Sequence, residues 1–219
     1  MTTVIFDMDG VIIDSEPIHH KIEKEIFSEL GLQITDEQHK RYTGTASIEM
    51  WTEITETHQL DVSPVDVTRL NHERYLSYIK NLKMLPVVDG VVDLVHNLHK
   101  YQKKLVLASS SAREQIEFVL DKLNILDYFP HIVSGAELPK SKPDPMIFLK
   151  AAHLSDSKPV QCIVIEDSHH GVTAAKAAGM KCIGFRNPQS GNQDLSQADF
   201  IVSGIRLLSI DELFTDLFL

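Results

Sequence analysis

Cysteine is scarce in this chain, with two in 219 residues. Cys162 and Cys182 lie inside the apolar stretches VQCIVIED and MKCIGF. Neither belongs to a CxxC spacing, which excludes a thiolate zinc site. The pair reads as two small buried thiols in neighbouring strands of a reduced protein, not as a disulfide. Long apolar runs are also missing. None approaches the ~18 residues that span a bilayer, so no membrane partner is expected. MTTVIFDMDG carries no basic segment followed by an apolar one, so a signal peptide is not expected and the cytoplasm is the default location. Basic residues are in deficit, with 21 Lys and Arg against 31 acidic residues and a net charge of −10. With no basic run to reverse that total, a nucleic-acid partner is not expected, and any phosphate site has to be built locally. Several motifs are absent too. There is no GxGxxG and no P-loop, because Phe185 stands where Lys would follow Gly184. The 11 histidines include the pairs His19-His20 and His169-His170 but no HExxH. No internal repeat or low-complexity tract occurs.

What remains is ordinary globular material, 43% hydrophobic and 24% charged. From Met84 onward, short β-rich runs alternate with helical segments. KLVLASS (104–110), HIVSG (131–135), VQCIVIED (160–167), KCIGF (181–185) and DFIVSG (199–204) read as strands. Ser111-Ala112-Arg113-Glu114 predicts a capping box for a helix to about Leu123. Asp144-Pro145 predicts an N-cap with proline at the first helical position, and GVTAAKAAG a helix stopping at Gly179. Ser209-Ile210-Asp211-Glu212 predicts a cap for a last short helix. Unbroken apolar strands between helices indicate a doubly wound parallel sheet covered on both faces.

Between the first strand and this alternation lies a stretch with helical signals only. PIHHKIEKEIFSEL is followed by a capping box at Thr35-Asp36-Glu37-Gln38, by IEMWTEITETH with Trp51 as a core residue, and by Ser63-Pro64 opening a segment towards Asn81. The expected architecture is α/β, with residues 1–14 and 83–219 forming the sheet domain and residues 15–82 an inserted all-helical cap. Glu16-Pro17 and Leu85-Pro86 stand where the two linkers should be.

The chemistry begins at VIFDMDG, residues 4 to 10. An apolar strand ends in Asp7 and Asp9, which point to the same side about 7 Å apart. Two such charges repel by roughly 2 to 3 kcal/mol at an effective dielectric near 20. In open parallel sheets ligands bind beyond the carboxyl ends of the strands, so polar residues that follow apolar runs belong together. They are Asp7 and Asp9, Ser109 to Ser111, and Glu166-Asp167. Carboxylates gathered at one rim need a cation, and oxygen-only ligands suit Mg²⁺. Lys142, in the short loop PKSKPDP, supplies a positive charge for an anion. A nucleophilic carboxylate, a metal, a hydroxyl and a lysine make up the set that phosphoryl transfer requires.

Taken singly these residues carry little. Asp7 and Asp9 would pass for a solvated turn, Glu166-Asp167 for a helix N-terminal cluster, and Lys142 for a surface lysine. A calcium EF-hand loop is excluded, because Ile12 and Ile18 occupy its sixth and twelfth positions.

Taken together, VIFDMDG, LVLASS, SKPDP and VIEDS resemble, in order and spacing, the four motifs of the haloacid dehalogenase superfamily, and more narrowly its β-phosphoglucomutase-like branch. The resemblance covers essentially the whole chain and implies a capped phosphatase. By that resemblance Asp7 is the nucleophile and a Mg²⁺ ligand. Asp9 is the general acid and then base, with its carbonyl also on the metal. Ser109, Ser110 and Lys142 hold the phosphoryl oxygens, and Asp167 ligates the metal with Glu166 beside it or acting through water. Metal-free dehalogenases lack the second aspartate, so Asp9 argues against dehalogenation. The linker GVIIDSEPIHH resembles that of the sugar-phosphate phosphatases and implies substrate contacts from Glu16, His19 and, in the cap loop, Gly44. Position 47 is Ser, where β-phosphoglucomutases carry an arginine that grips a second phosphate. Losing a bidentate Arg argues for hydrolysis over mutase chemistry. The expected partner is a small phosphorylated metabolite, foremost a sugar phosphate, acted on by a monomer. The alternatives are a phosphohexomutase and a catalytically idle sugar-phosphate-binding regulator.

Overall fold

The computed structural model describes residues 2–208. The first strand, β1 (Thr3–Phe6), is followed by four helices with no strand between them: α1 (Glu16–Glu29), α2 (Asp36–His39), α3 (Ser47–Thr57) and α4 (Pro64–Lys80). Alternation then sets in, with α5 (Val91–Lys100), β2 (Lys104–Ser109), α6 (Arg113–Lys122), β3 (His131–Ser134), α7 (Met146–Leu154), β4 (Cys162–Glu166), α8 (His169–Ala177), β5 (Lys181–Phe185) and β6 (Phe200–Val202). The six strands form one sheet in the order β3-β2-β1-β4-β5-β6. Every neighbouring pair is parallel.

Period-2 alternation divides the core between the two faces of this sheet. Val4, Phe6, Leu105, Leu107, Ile163 and Ile165 face one cluster, which extends through α5 and α6 into the cap. Ile5, Val106, Ala108, Cys162, Val164 and Cys182 face the other, against α7 and α8. Both cysteines are buried and free, on adjacent strands as expected. In the cap, α1 buries Ile18, Ile22 and Ile26 at four-residue spacing against fully buried Trp51 and Tyr75.

Helix starts shift where a capping side chain is engaged elsewhere. Ser111 does not cap α6, because its hydroxyl donates to Asp9 at 2.6 Å. The helix instead starts after Ala112, whose N–H donates to Gln115 Oε1 at 3.3 Å. Asp144 does accept from the Met146 N–H at 3.0 Å, but α7 begins one residue later than the sequence suggests, with Pro145 in front of it. Ser168 caps α8 two residues before the expected start, accepting from the Gly171 N–H at 3.0 Å. The Thr35 box forms as expected: Thr35 N–H donates to Gln38 Oε1 at 2.9 Å, and Gln38 N–H donates to Thr35 Oγ1 at 3.2 Å. Glu16 and Pro17, read as linker, are instead the first two residues of α1, where proline's missing N–H costs nothing. The connecting strands run just before them and pair with each other, Asp14 N–H donating to Pro86 O at 2.7 Å and Val88 N–H to Ile12 O at 3.0 Å. The helix expected at Ser209-Ile210-Asp211-Glu212 lies outside the described residues.

Candidate active site

β1 sits at the centre of the sheet, with β2 on one side and β4 on the other, so the strand order reverses there. Register brings Phe6 level with Leu107 and Ile165. The residues that leave the three strands therefore meet at one rim. Asp7 and Asp9 follow β1, Ser109 ends β2, and Glu166-Asp167 ends β4. Gly10 completes the turn after β1 at φ +74°, and a Cβ there would fall inside the Asp167 carboxylate.

Lys142 arrives from the loop between β3 and α7, preceding a cis Pro143. The residue is 5% exposed, and its ammonium donates to Asp7 Oδ1 at 2.9 Å and to Glu166 Oε1 at 2.6 Å. Desolvation works against that charge, but the carboxylates of Asp7 and Glu166 outweigh it and raise the Lys142 pKa. Glu166 is fully engaged: its other oxygen accepts from the Asp167 N–H, the Ser168 N–H and the Ser168 hydroxyl, each at 2.9 Å. Among the described residues, no donor engages the other oxygen of Asp7. Asp167 accepts a short hydrogen bond from Ser190.

One oxygen each from Asp7, Glu166 and Asp167 falls within 4.8 Å of the others, and all three residues are buried. One ammonium shared by two of them does not offset three carboxylates. Asp7 is accordingly pushed up to about 8 by desolvation, with Glu166 and Asp9 adding to it against Lys142. Asp167 is raised well above the ordinary range by desolvation, then by Glu166 and Asp7. Buried, oxygen-only and short of positive charge, the donor set fits a hard divalent cation.

Asp9 has the opposite environment. Burial opposes its ionisation, but the facing His19 and the Ser111 hydroxyl prevail and hold it at about 2. His19 Nε2 stands 3.6 Å from Asp9 Oδ1, an ion pair longer than a hydrogen bond. Desolvation alone would lower the His19 pKa, but Asp9, then Glu23 and Glu16, carry it to about 9. Its ring stacks on Tyr75 with centroids 4.1 Å apart.

Ser109 is fully buried, donates to Asp9 Oδ2 at 3.2 Å and accepts from the Ser111 N–H at 3.0 Å. Of the serines that follow β2, Ser110 and Ser111 line the cleft. Glu16, His19 and Gly44 line it from the cap. Desolvation pushes Glu16 up to about 7, Glu23 and Asp9 adding to it against His19. Gly44, at φ +79°, would bring a Cβ to 3.0 Å from Ser168 Cβ, so the cap loop rests directly on the start of α8.

Sequence reasoning missed three participants, and it gave Ser111, gathered with the rim residues, a helix-capping role as well. Ser190 and Asn187 come from the loop after β5, Asn187 donating to Gly10 O at 2.8 Å and to Asp14 Oδ1 at 2.7 Å. His39 is 1% exposed and pairs with Glu23. No local signature marks the last three, because their partners lie far away in the chain.

Comparison with known proteins agrees with this geometry. A family model described as haloacid dehalogenase-like hydrolase matches residues 4–185. Hexitol phosphatase B of Escherichia coli is 32% identical over 212 residues, covering 95% of this chain and 92% of that protein. A fructose-1-phosphate phosphatase of the same species is 32% identical over 184 residues, covering 84% of this chain and 95% of that one. A crystal structure of β-phosphoglucomutase from Clostridium difficile superimposes with a TM-score of 0.84 at 26% identity, covering 97% of this chain and 95% of that one. With its motifs at one rim of a parallel six-stranded sheet under a helical cap, the chain belongs to the haloacid dehalogenase-like hydrolase family.

Proposed function

We propose that the protein is a Mg²⁺-dependent phosphatase that hydrolyses small phosphorylated metabolites, sugar phosphates foremost, through an aspartyl-phosphate intermediate. The observation that carries this reading is the Asp7 carboxylate, one oxygen tied to Lys142 and the other without a donor among the described residues, beside two further buried carboxylates. Asp7 and Asp167 would hold the metal directly. Glu166, its oxygens already taken by Lys142, Ser168 and the Asp167 amide, would act by fixing Lys142 and through water. A bound Mg²⁺ would supply charge neutralisation, letting Asp7 ionise beside its neighbours and offsetting negative charge on the transferring group.

The free oxygen of Asp7 attacks phosphorus while the bond to the leaving oxygen breaks. Asp9 gives its proton to that oxygen, which departs as the alcohol. The doubly negative phosphate ester entering beside Asp9 raises its affinity for a proton, and protonated His19, 3.6 Å away, is the nearest source. In the second half, Asp9 takes a proton from water as the water oxygen attacks phosphorus, releasing inorganic phosphate and restoring Asp7. Lys142 and Ser110 hold the phosphoryl oxygens, and Ser109 joins them when its hydroxyl turns away from Asp9. The cap loop at Gly44, seated on Ser168, keeps bulk water from the intermediate.

Similarity to two sugar-phosphate phosphatases at 32% identity supports the substrate class. Similarity to a β-phosphoglucomutase keeps the mutase as the second reading. Ser47, which lines the cleft, offers no charge for a second phosphate, and hydrolysis is preferred. Phosphate release should be measured across a panel of sugar phosphates with Mg²⁺, with chelator and with Asp7→Asn. Release abolished by both perturbations supports hydrolysis. Conversion of a sugar 1-phosphate to its 6-phosphate without free phosphate would replace it by the mutase, and no turnover of any member would favour an idle binding protein.

A further inference from the structure

The wall of the cleft opposite Asp7 belongs to the cap. Glu16, His20 and Glu23 fall at four- and three-residue spacing on one face of α1, and that face lines the cleft. Glu23 Oε2 and His39 Nε2 lie 2.5 Å apart, and the side chains are 10% and 1% exposed. The His20 ring covers His39, with centroids 3.8 Å apart. Thr43, Thr45 and Ser47, which bear hydroxyls, line the same cleft. Among the described residues, the lysine and arginine content of the lining is Lys142 alone, at the carboxylate end.

A buried carboxylate–imidazole pair is a poor stabiliser, since well-packed apolar side chains of similar volume do as well or better. This pair is moreover incomplete. His39 Nδ1 is buried without a partner, and no described donor engages Glu23 Oε1. Both residues line the cleft, and the two atoms call for a group that both donates and accepts. A hydroxyl does both, and it satisfies His39 Nδ1 in either tautomer. A second phosphate or carboxylate does not: it would meet Glu23 beside Glu16, and protonated His19 is already engaged by Asp9.

We propose that Glu23 and His39 are specificity-determining residues that bind hydroxyls of an uncharged sugar or polyol carrying a single phosphate, and that the acidic cap wall rejects substrates with a second anionic group. This rests on the phosphatase reading and narrows it from phosphorylated metabolites in general to hydroxyl-rich monophosphates.

The test compares kcat/KM for glucose 6-phosphate, glucose 1,6-bisphosphate and 4-nitrophenyl phosphate in the wild-type protein and in Glu23→Gln, with circular dichroism to check folding. The wild type should prefer the monophosphate to the bisphosphate by at least about tenfold, given like-charge rejection. In Glu23→Gln, the ratio of the glucose 6-phosphate value to the 4-nitrophenyl phosphate value should fall roughly 10- to 100-fold, the worth of one hydrogen bond to a charged group. The fall should appear mainly in KM, and Glu23→Asp should recover part of it. Equal use of monophosphate and bisphosphate by the wild type, or an unchanged ratio in folded Glu23→Gln, would overturn the proposal. If nothing is turned over, the hydrolysis reading fails, and calorimetry still decides this one. Tighter binding of glucose 6-phosphate than of the bisphosphate, weakened in Glu23→Gln, supports it, and no difference refutes it.

Discussion

Replacing Lys142 by methionine removes the one ammonium that bridges Asp7 and Glu166, at 2.9 and 2.6 Å, while keeping a side chain of similar length. The Lys142 side chain is 4% exposed and those of its partners 9% and 0%, so water does not take its place freely. Breaking a buried pair by deleting one partner costs about 3 to 5 kcal/mol. Glu166 retains three donors from Asp167 and Ser168, so most of the penalty falls on Asp7. Asp7 can escape it by taking up a proton, which its pKa of about 8 already favours. The loss should therefore be largest in chelator near pH 8, smaller near pH 5, and reduced by Mg²⁺. For a chain of this size, each kcal/mol moves Tm by about 2 to 4 °C, giving a drop of roughly 6 to 20 °C. Thermal denaturation of Lys142→Met followed by circular dichroism, with and without Mg²⁺ at both pH values, measures it. Phosphate release should fall at least about 100-fold, because a donor aimed at developing charge is lost. A Tm within about 2 °C of wild type in chelator near pH 8, or a loss indifferent to pH and metal, would refute the reasoning.

Three further outcomes follow from the same geometry. Metal and protons compete for Asp7 and Asp167, so Mg²⁺ affinity should rise with pH between about pH 6 and about pH 8, with proton release on binding; calorimetry in buffers of different ionisation enthalpy measures both, and a pH-independent affinity would contradict it. His19 binds its proton more tightly folded than unfolded, its pKa rising from 6.5 to about 9. The stability it contributes is thus full below about pH 6.5 and lost as pH rises through about 9, so denaturant unfolding of wild type and His19→Asn should converge across that window, and a constant gap would argue against the Asp9 pair. Gly44→Ala places a Cβ 3.0 Å from Ser168 at φ +79°, costing about 1 to 2 kcal/mol of backbone strain, and should lower kcat/KM by loosening the cap; unchanged kinetics would mean that this contact does not seat the loop.

The sheet and the carboxylate rim were legible because their signals are local. An apolar strand that ends in charge, as at Phe6-Asp7 or Ile165-Glu166, states both its burial and its polar end within a few residues. Helix starts were less legible, since a serine reads as a cap whatever its hydroxyl does. Ser111 serves Asp9 across 102 positions, and that distance is invisible in the local text. The same holds for Asn187 and Ser190, which reach Gly10 and Asp167 from a loop whose own sequence suggests only a turn. Glu23 and His39 sit 16 positions apart on different helices, and only the packing of α1 against α2 turns two ordinary polar residues into a buried pair. Glu16 and Pro17 were read as linker because proline marks both a chain break and a helix's first turn, two roles that only the fold separates.

Phosphorylation of Asp7 is the step on which the rest depends. Protein mixed with a radiolabelled sugar phosphate and Mg²⁺, quenched in acid within a turnover and digested, should carry label on the peptide containing Asp7, and label should be absent from Asp7→Asn. Steady release of phosphate with no label on protein, or with label on another residue, would contradict the account.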